Sequence, residues 1–365
     1  MSPAMLTGKT LVVRADADSR MGTGHVMRCL ALGQAWQDAG GRALFLMAPA
    51  PPALKTRLLS EGMEVLALQT VPGSLDDARE TAQLARNRGA DWVVVDGYHF
   101  GADYQRLIKD TGLRLLCIDD YGHAAHYSAD LVLNQNINAT EELYPSREAN
   151  TRLLLGTKYV LLRREFLPWR GWRRDIPEVA RKVLVTLGGG DPDNVTLKVV
   201  QALAQVKIKG LEAVVVVGAA NPHLEELQAA VQDTPHPIRL ESNVTNMPEL
   251  MAWADLVITA GGSTCWEMAF MGLPALTIIL ANNQRPIAES LGLMRAALNL
   301  GWYETIATSL IRDSVKELLI LKKERMRMSR TTRSLVDGVG SSRVNLLLKG
   351  AMQNIGMSFE IFSFM

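Results

Sequence analysis

Short apolar, β-branched runs alternate with helix-length amphipathic stretches along this chain, the pattern of parallel strands covered by helices. In the first half the runs predict strands over 10–15, 43–47, 64–68, 92–95 and 114–118, with helices starting near His25, Pro52, Leu75 and Ala102. Two short strands, 130–133 and 152–155, follow. The alternation then stops in a basic segment rich in Trp and Arg, Arg163-Arg-Glu-Phe-Leu-Pro-Trp-Arg-Gly-Trp-Arg-Arg174. A second alternating set predicts strands over 183–187, 213–217, 238–240, 256–259 and 275–280, with helices starting near Asn194, Pro222, Pro248, Thr264 and Pro286. The pattern therefore reads as α/β, with two Rossmann-like domains facing a cleft: residues 1–162, a linker at 163–180, residues 181–355 and a tail at 356–365.

The length of 365 residues suits two domains, and 48% apolar with 21% charged residues excludes collagen-like, disordered and coiled-coil chains. Lys and Arg number 39 against 38 Asp and Glu, a net charge of +1. No global field draws the protein to nucleic acid, so an anionic ligand needs a local site. Three scattered cysteines, Cys29, Cys117 and Cys265, argue against a disulfide framework or a four-ligand zinc site and fit a reducing compartment. The first apolar run, Leu11-Val12-Val13, reads as a strand rather than a signal segment, and the uncharged stretch 271–284 is too short for a membrane span. The expectation is a cytoplasmic protein without a membrane span; no oligomeric state is assigned.

In open parallel sheets, chemistry collects outside the carboxyl ends of strands. The first such loop is Asp16-Ala-Asp-Ser-Arg-Met-Gly22-Thr-Gly24-His25, continuing to Arg28 and Cys29. His25 falls at a helix N-terminus, where positive dipole charge favours the neutral imidazole, the form a general base needs. A histidine bonded into its own loop is the plainer alternative. Met27 stands where a dinucleotide fingerprint needs its third glycine. After the fourth strand, Asp96-Gly-Tyr98-His99 lies close enough to face His25 in a doubly wound order, and Tyr98 can bond a sugar or merely cover the strand end.

In the second half, Gly188-Gly189-Gly190-Asp191-Pro-Asp193-Asn194 joins strand to helix. Consecutive glycines let backbone N–H groups approach an anion, whereas Asp191 and Asp193 read as helix caps before metal ligands. Ala260-Gly261-Gly262-Ser263-Thr264-Cys-Trp-Glu267 is a strand, turn and helix suited to a diphosphate, and Thr264 with Glu267 also fits a capping box. It lacks a Walker lysine. Asn283-Gln284 ends the next strand, where amides can read sugar substituents. His123-x-x-His126 with Asp119 and Asp120 fixes no third metal ligand by spacing. Lys322 to Arg330 reads as a solvated helix face.

Together the segments Asp16–Cys29, Asp96-x-Tyr98, Ile118-Asp119-Asp120, Asp130-Leu-Val-Leu-Asn-Gln-Asn136, Gly188–Pro192, Gly261–Thr264 with Glu267, and Asn283-Gln284 resemble, in order, the UDP-sugar hydrolases of pseudaminic acid biosynthesis. That family is similar in fold to the GT-B glycosyltransferases. The resemblance implies a UDP-amino sugar as the small-molecule partner and no cofactor or metal. It places Gly262, Ser263 and Thr264 near the phosphates, Glu267 on the ribose and the backbone from Val244 to Met247 against uracil. His25 would activate a water that attacks the anomeric carbon, releasing UDP with inversion. Tyr98 and Asn283 would hold the sugar, and Asp16, Gly24, Gly189, Gly190, Asn194 and Gln284 complete the expected substrate-binding set. A GT-B glycosyltransferase with the same donor, or a non-catalytic nucleotide-sugar-binding protein, would use the same fold.

Overall fold

Six successive buried residues make Thr10–Ala15 (β1) an inner strand. Continuous burial of that kind is what a sheet covered on both faces requires. The structure is a computed structural model that describes residues 5–18, 21–218 and 221–353; the tail expected at 356–365 lies outside them. In the first half, β1 is followed by α1 (Gly24–Asp38), β2 (Arg42–Met47), α2 (Pro52–Ser60), β3 (Glu64–Ala67), α3 (Leu75–Asn87), β4 (Trp92–Asp96), α4 (Ala102–Asp110), β5 (Leu115–Ile118), β6 (Leu131–Asn134) and β7 (Arg152–Leu155). The strands form a parallel seven-stranded sheet in the order β3-β2-β1-β4-β5-β6-β7.

The second half contains β8 (Lys182–Thr186), α5 (Val195–Ala204), β9 (Glu212–Val217), α6 (Leu224–Gln232), β10 (Ile238–Ser242), α7 (Met247–Trp253), β11 (Leu256–Ala260), α8 (Thr264–Phe270), β12 (Ala275–Ile279), α9 (Arg285–Leu293), β13 (Leu298–Trp302), α10 (Thr308–Ile320), α11 (Lys322–Arg333) and α12 (Gly340–Gln353). Its six-stranded parallel sheet runs β10-β9-β8-β11-β12-β13. In both sheets the strand order reverses beside the first strand of the set, between β1 and β4 and between β8 and β11. Loops diverge at such a switch point and leave room for a ligand.

The described residues divide into two compact units: 5–16, 25–164 and 339–353 form one, and 17–18, 21–24, 165–218 and 221–338 the other. This corrects the expected boundary at 355, because α12 belongs to the first unit. Trp92 Nε1 donates to Leu348 O at 3.1 Å, Val344 and Leu348 are fully buried, and Arg343 donates to Lys158 O. The basic segment expected as a linker is not all spacer. Arg174 donates to Met251 O at 2.5 Å and to Ala254 O, capping the carboxyl end of α7.

Nor is the basic stretch of α11 wholly solvated. Arg325 is fully buried and donates to Leu318 O, Leu319 O and Pro177 O at 2.5 to 2.6 Å, binding carbonyls left open at the end of α10. No helix among the described residues is long and apolar enough to cross a membrane.

Candidate active site

Parallel pairing sets Ala15 opposite Asp96 and Asp96 opposite Ile118. The residues that follow β1, β4 and β5 therefore emerge side by side at one sheet edge. His25 is the second residue of α1, and Arg28 and Cys29 share its face by helical spacing. That face meets β4. His25 Nδ1 lies 2.6 Å from Asp96 Oδ1, Arg28 donates to Asp96 through Nε at 2.6 Å and Nη2 at 2.7 Å, and Cys29 Sγ lies 3.4 Å from Asp96 Oδ2.

The network extends across the strand end. Arg28 Nη1 donates to Asp120 Oδ1 at 2.7 Å, Asn136 Nδ2 donates to the same oxygen, and Tyr98 Oη donates to Asp120 Oδ2 at 2.7 Å. All but Tyr98 are buried. Burial alone would push both carboxyls up; the Arg28 guanidinium outweighs it and holds Asp96 and Asp120 below the usual carboxylate range. Both are then acceptors, so the Asp96 carboxylate accepts a hydrogen bond from His25 Nδ1–H, which leaves Nε2 as the ring nitrogen free of that bond. The Tyr98 ring stands edge-on to the imidazole, 5.0 Å between centroids.

Asp16, expected on the substrate, is held by its own unit. Oδ1 accepts from Arg14 Nη1 at 2.6 Å and from Ala48 N at 2.7 Å, and Oδ2 lies 3.1 Å from His99 Nε2. Burial opposes ionisation there, but the His99 and Arg14 bonds prevail and bring the carboxyl down to about 2. Gly24 is the first residue of α1. His123 and His126 do not converge on one point. His123 Nδ1 pairs with Asp119 at 2.8 Å, whereas His126 bonds Ser146 and Glu148. Among the described residues no three His, Cys, Asp or Glu side chains are grouped to hold a metal.

In the second unit the turns after β8 and β11 stand at the switch point. Gly188 has a φ of 100°, which suits glycine; Gly189 is half-buried and Gly190 buried. Asp191 caps α5, accepting from Val195 N at 2.8 Å and Thr196 N at 2.9 Å, while Asn194 Nδ2 donates to Glu226. A Cβ on Gly261 would lie 2.8 Å from Gln284 O, so this glycine is needed for packing, whereas Gly262 has open space where its Cβ would be.

Ser263 occupies the N-cap of α8 without a side-chain cap bond, and Thr264 is the first helical residue. The capping-box register that would pair Thr264 with Glu267 is thus displaced by one position. Ser263, Thr264 and Glu267 are all half-buried. Val244 is half-buried in the turn before α7, and Met247, the first residue of that helix, is buried. Asn283 and Gln284 form a single 3-10 turn, with Gln284 Oε1 accepting from Leu280 N at 3.0 Å.

Sequence reasoning did not assign Asp96, Arg28 and Asp120 to the site. A signal was present in the His25-x-x-Arg28 spacing, which places a base and a cation on one helix face.

Residues 183–339 match the glycosyltransferase family 28 C-terminal domain. The chain is 31% identical to the spore coat polysaccharide biosynthesis protein SpsG of Bacillus subtilis, over 72% of this chain and 78% of that protein. It is 25% identical to the UDP-2,4-diacetamido-2,4,6-trideoxy-beta-L-altropyranose hydrolase of Campylobacter jejuni, over 76% of this chain and 94% of that protein. A third relative, the uncharacterized protein MJ1062 of Methanocaldococcus jannaschii, is 25% identical over 75% of this chain, which spans only 56% of that longer protein. Among solved structures, Acinetobacter baumannii MurG superposes with a TM-score of 0.67 at 18% identity, covering 94% of this chain and 99% of its own. Two parallel switch-point sheets and these likenesses make the fold GT-B, and the chain belongs to the family of the spore coat polysaccharide biosynthesis protein SpsG, with relatives named as UDP-sugar hydrolases.

Proposed function

We propose that this chain is an enzyme that hydrolyses a UDP-2,4-diacetamido-2,4,6-trideoxyhexose, releasing UDP by attack of water at the anomeric carbon with inversion. The observation that carries this reading is the buried His25–Asp96 pair, 2.6 Å apart at the carboxyl edge of the first sheet. Asp96 fixes the imidazole tautomer, and Nε2 takes a proton from water as the oxygen attacks. The three buried charges Arg28, Asp96 and Asp120 leave one net negative charge. A proton arriving on His25 brings the cluster to neutrality, so the local field favours the charge that develops during attack.

The second unit would hold UDP, with Gly189, Gly190, Gly262, Ser263 and Thr264 at the phosphates, Glu267 on the ribose and Val244 to Met247 at the base. Helix-start N–H groups beside open glycine backbone suit a leaving diphosphate. Both carboxylate oxygens of Asp191 are engaged in capping, which supports a reaction without a metal held by Asp191. Tyr98, Asn283 and Gln284 would contact the sugar.

The family 28 match supports a second reading, transfer of the sugar to an acceptor hydroxyl. Incubation with UDP-diacetamido sugars and no acceptor, followed by assay of free UDP, separates the two. Acceptor-free release at catalytic rates supports hydrolysis; strict dependence on an acceptor supports transfer.

A further inference from the structure

Next to His25 the first unit carries an aromatic surface that the hydrolytic chemistry does not itself use. In the turn after β5, Asp119 and Asp120 are 0% and 7% exposed, whereas Tyr121 is 41% exposed. The turn is rigidly built. Asp119 Oδ2 accepts from Gly122 N and from Tyr127 Oη, each at 2.7 Å, and Oδ1 pairs with His123. Gly122 has a φ of 76°, and a Cβ there would collide with Leu143 O. The turn's backbone, from which the Tyr121 ring projects, is therefore fixed without relying on a ligand.

That ring lies 4.9 Å from the Tyr98 ring at an angle of 50°, and Tyr98 in turn lies 5.0 Å from His25. Tyr98 donates its hydroxyl to Asp120, so what it shares with Tyr121 is ring surface. Two tilted rings beside a base make an apolar corner. A sugar with hydroxyls on every carbon has little to place there, but a 6-deoxy sugar with acetamido groups presents methyls, which gain from aromatic contact.

We propose that Tyr121 is a specificity residue whose exposed ring, set against Tyr98 beside His25, contacts the methyl-bearing substituents of a deoxy acetamido sugar. The inference rests on the hydrolase reading for its substrate class. One methyl group in an apolar pocket discriminates by about 10-fold or more. Tyr121→Ala should lower kcat/KM for the UDP-2,4-diacetamido-2,4,6-trideoxyhexose by about 10-fold. The inhibition constant of UDP-glucose, which carries neither an acetamido group nor a 6-methyl, should change less than about twofold. Tyr121→Phe should behave as the wild type, and both variants should melt with it, since the ring is exposed.

Saturation-transfer NMR on the free diacetamido-trideoxyhexose, with UDP present, supplies a readout independent of turnover. Sugar methyl signals should appear with wild type and Tyr121→Phe and fade with Tyr121→Ala. Equal effects on both sugar nucleotides, no effect on either, or no transfer to methyls in the wild type would each overturn the role of Tyr121. Tyr121-dependent transfer without UDP release would instead remove the hydrolase reading and leave the contact standing.

Discussion

His25 Nδ1 and Asp96 Oδ1 are 2.6 Å apart, and the carboxylate that binds the imidazole is itself fully buried under Arg28. An aspartate so placed can only accept from Nδ1–H, whereas the amide of Asp96→Asn can donate and favour the opposite tautomer. His25→Ala and Asp96→Asn should each slow UDP release by about 100-fold or more. The double variant should be little slower than either, because the two act as a unit. UDP affinity, measured by calorimetry, should not move. Turnover of either single variant within about threefold of wild type would take the pair out of the mechanism.

The carboxylates of the first unit also set an acid limit on stability. Asp16 is lowered from 3.8 to about 2 in the folded state, and Asp96, Asp119 and Asp120 are lowered as well. A lowered carboxyl stabilises the fold above its unfolded value and loses that contribution as pH falls toward the folded one. Asp16 alone accounts for about 2 kcal/mol, lost between about pH 4 and pH 2. Urea melts across that range should show Asp16→Asn with a shallower acid decline than wild type. His123 shifts the other way: burial lowers it, but the Asp119 bond prevails and raises it above 6.5. Its contribution is present below the unfolded value and fades as pH rises through the folded one, so His123→Gln should flatten the alkaline side.

Much of this architecture was legible because parallel sheets write themselves locally. Buried strands such as β1 and β4 read as apolar runs, and His25 stood out as the residue after two glycines at a strand end. What was not legible is non-local. Asp96 is 71 residues from His25 in sequence, and only the pairing of β1 with β4 brings them together. The β13 strand, Leu-Asn-Leu-Gly-Trp, is half-buried throughout and interrupted by Gly301, so its period is weak. Local capping was legible at Asp191 but one position off at Thr264, where the preceding Ser263 takes the N-cap. The docking of α12 on the first unit has no local signature at all.

Glu267 distinguishes a structural from a ligand-binding role in the turn after β11. Thr264 stands inside the helix and Ser263 at its N-cap, so Thr264 and Glu267 are not in capping-box register. Glu267→Gln should leave the melting temperature unchanged while weakening UDP binding by about 10-fold, the loss expected when a charge-assisted bond to ribose hydroxyls becomes neutral. Calorimetric titration with UDP and thermal melts of the same samples measure both. A lower melting temperature with intact UDP affinity would assign Glu267 to the fold.

Two glycines in α12 should respond in opposite directions to one added methyl group. A Cβ on Gly340 would press into the backbone at Tyr159 and Val160, whereas a Cβ on Gly350 meets nothing within 4 Å. Backbone cannot step aside as a side chain can, so Gly340→Ala should destabilise by about 2 kcal/mol or more. Gly350→Ala in the same helix should stabilise by about 0.5 to 1 kcal/mol. Denaturant melts of the full-length protein test the pair. Equal effects would mean that α12 does not pack on the first unit as described.

The fate of the anomeric carbon gives the most direct account of mechanism. On the proposed reading a single base, His25, would activate one water, and UDP would be the leaving group. One activated water and no enzyme nucleophile would make this a single in-line displacement, so the free sugar should appear first as the inverted anomer, with no covalent intermediate. Attack should be at carbon if, as proposed, helix-start N–H groups stabilise the leaving oxygen and so lower the cost of breaking the anomeric C–O bond. In oxygen-18 water, mass spectrometry and NMR should place the label on the sugar hydroxyl and none in UDP. Label in UDP would mean attack at phosphorus and a different role for His25. Retained configuration would mean two displacements, and the search for a nucleophile would move to the carboxylates beside His25.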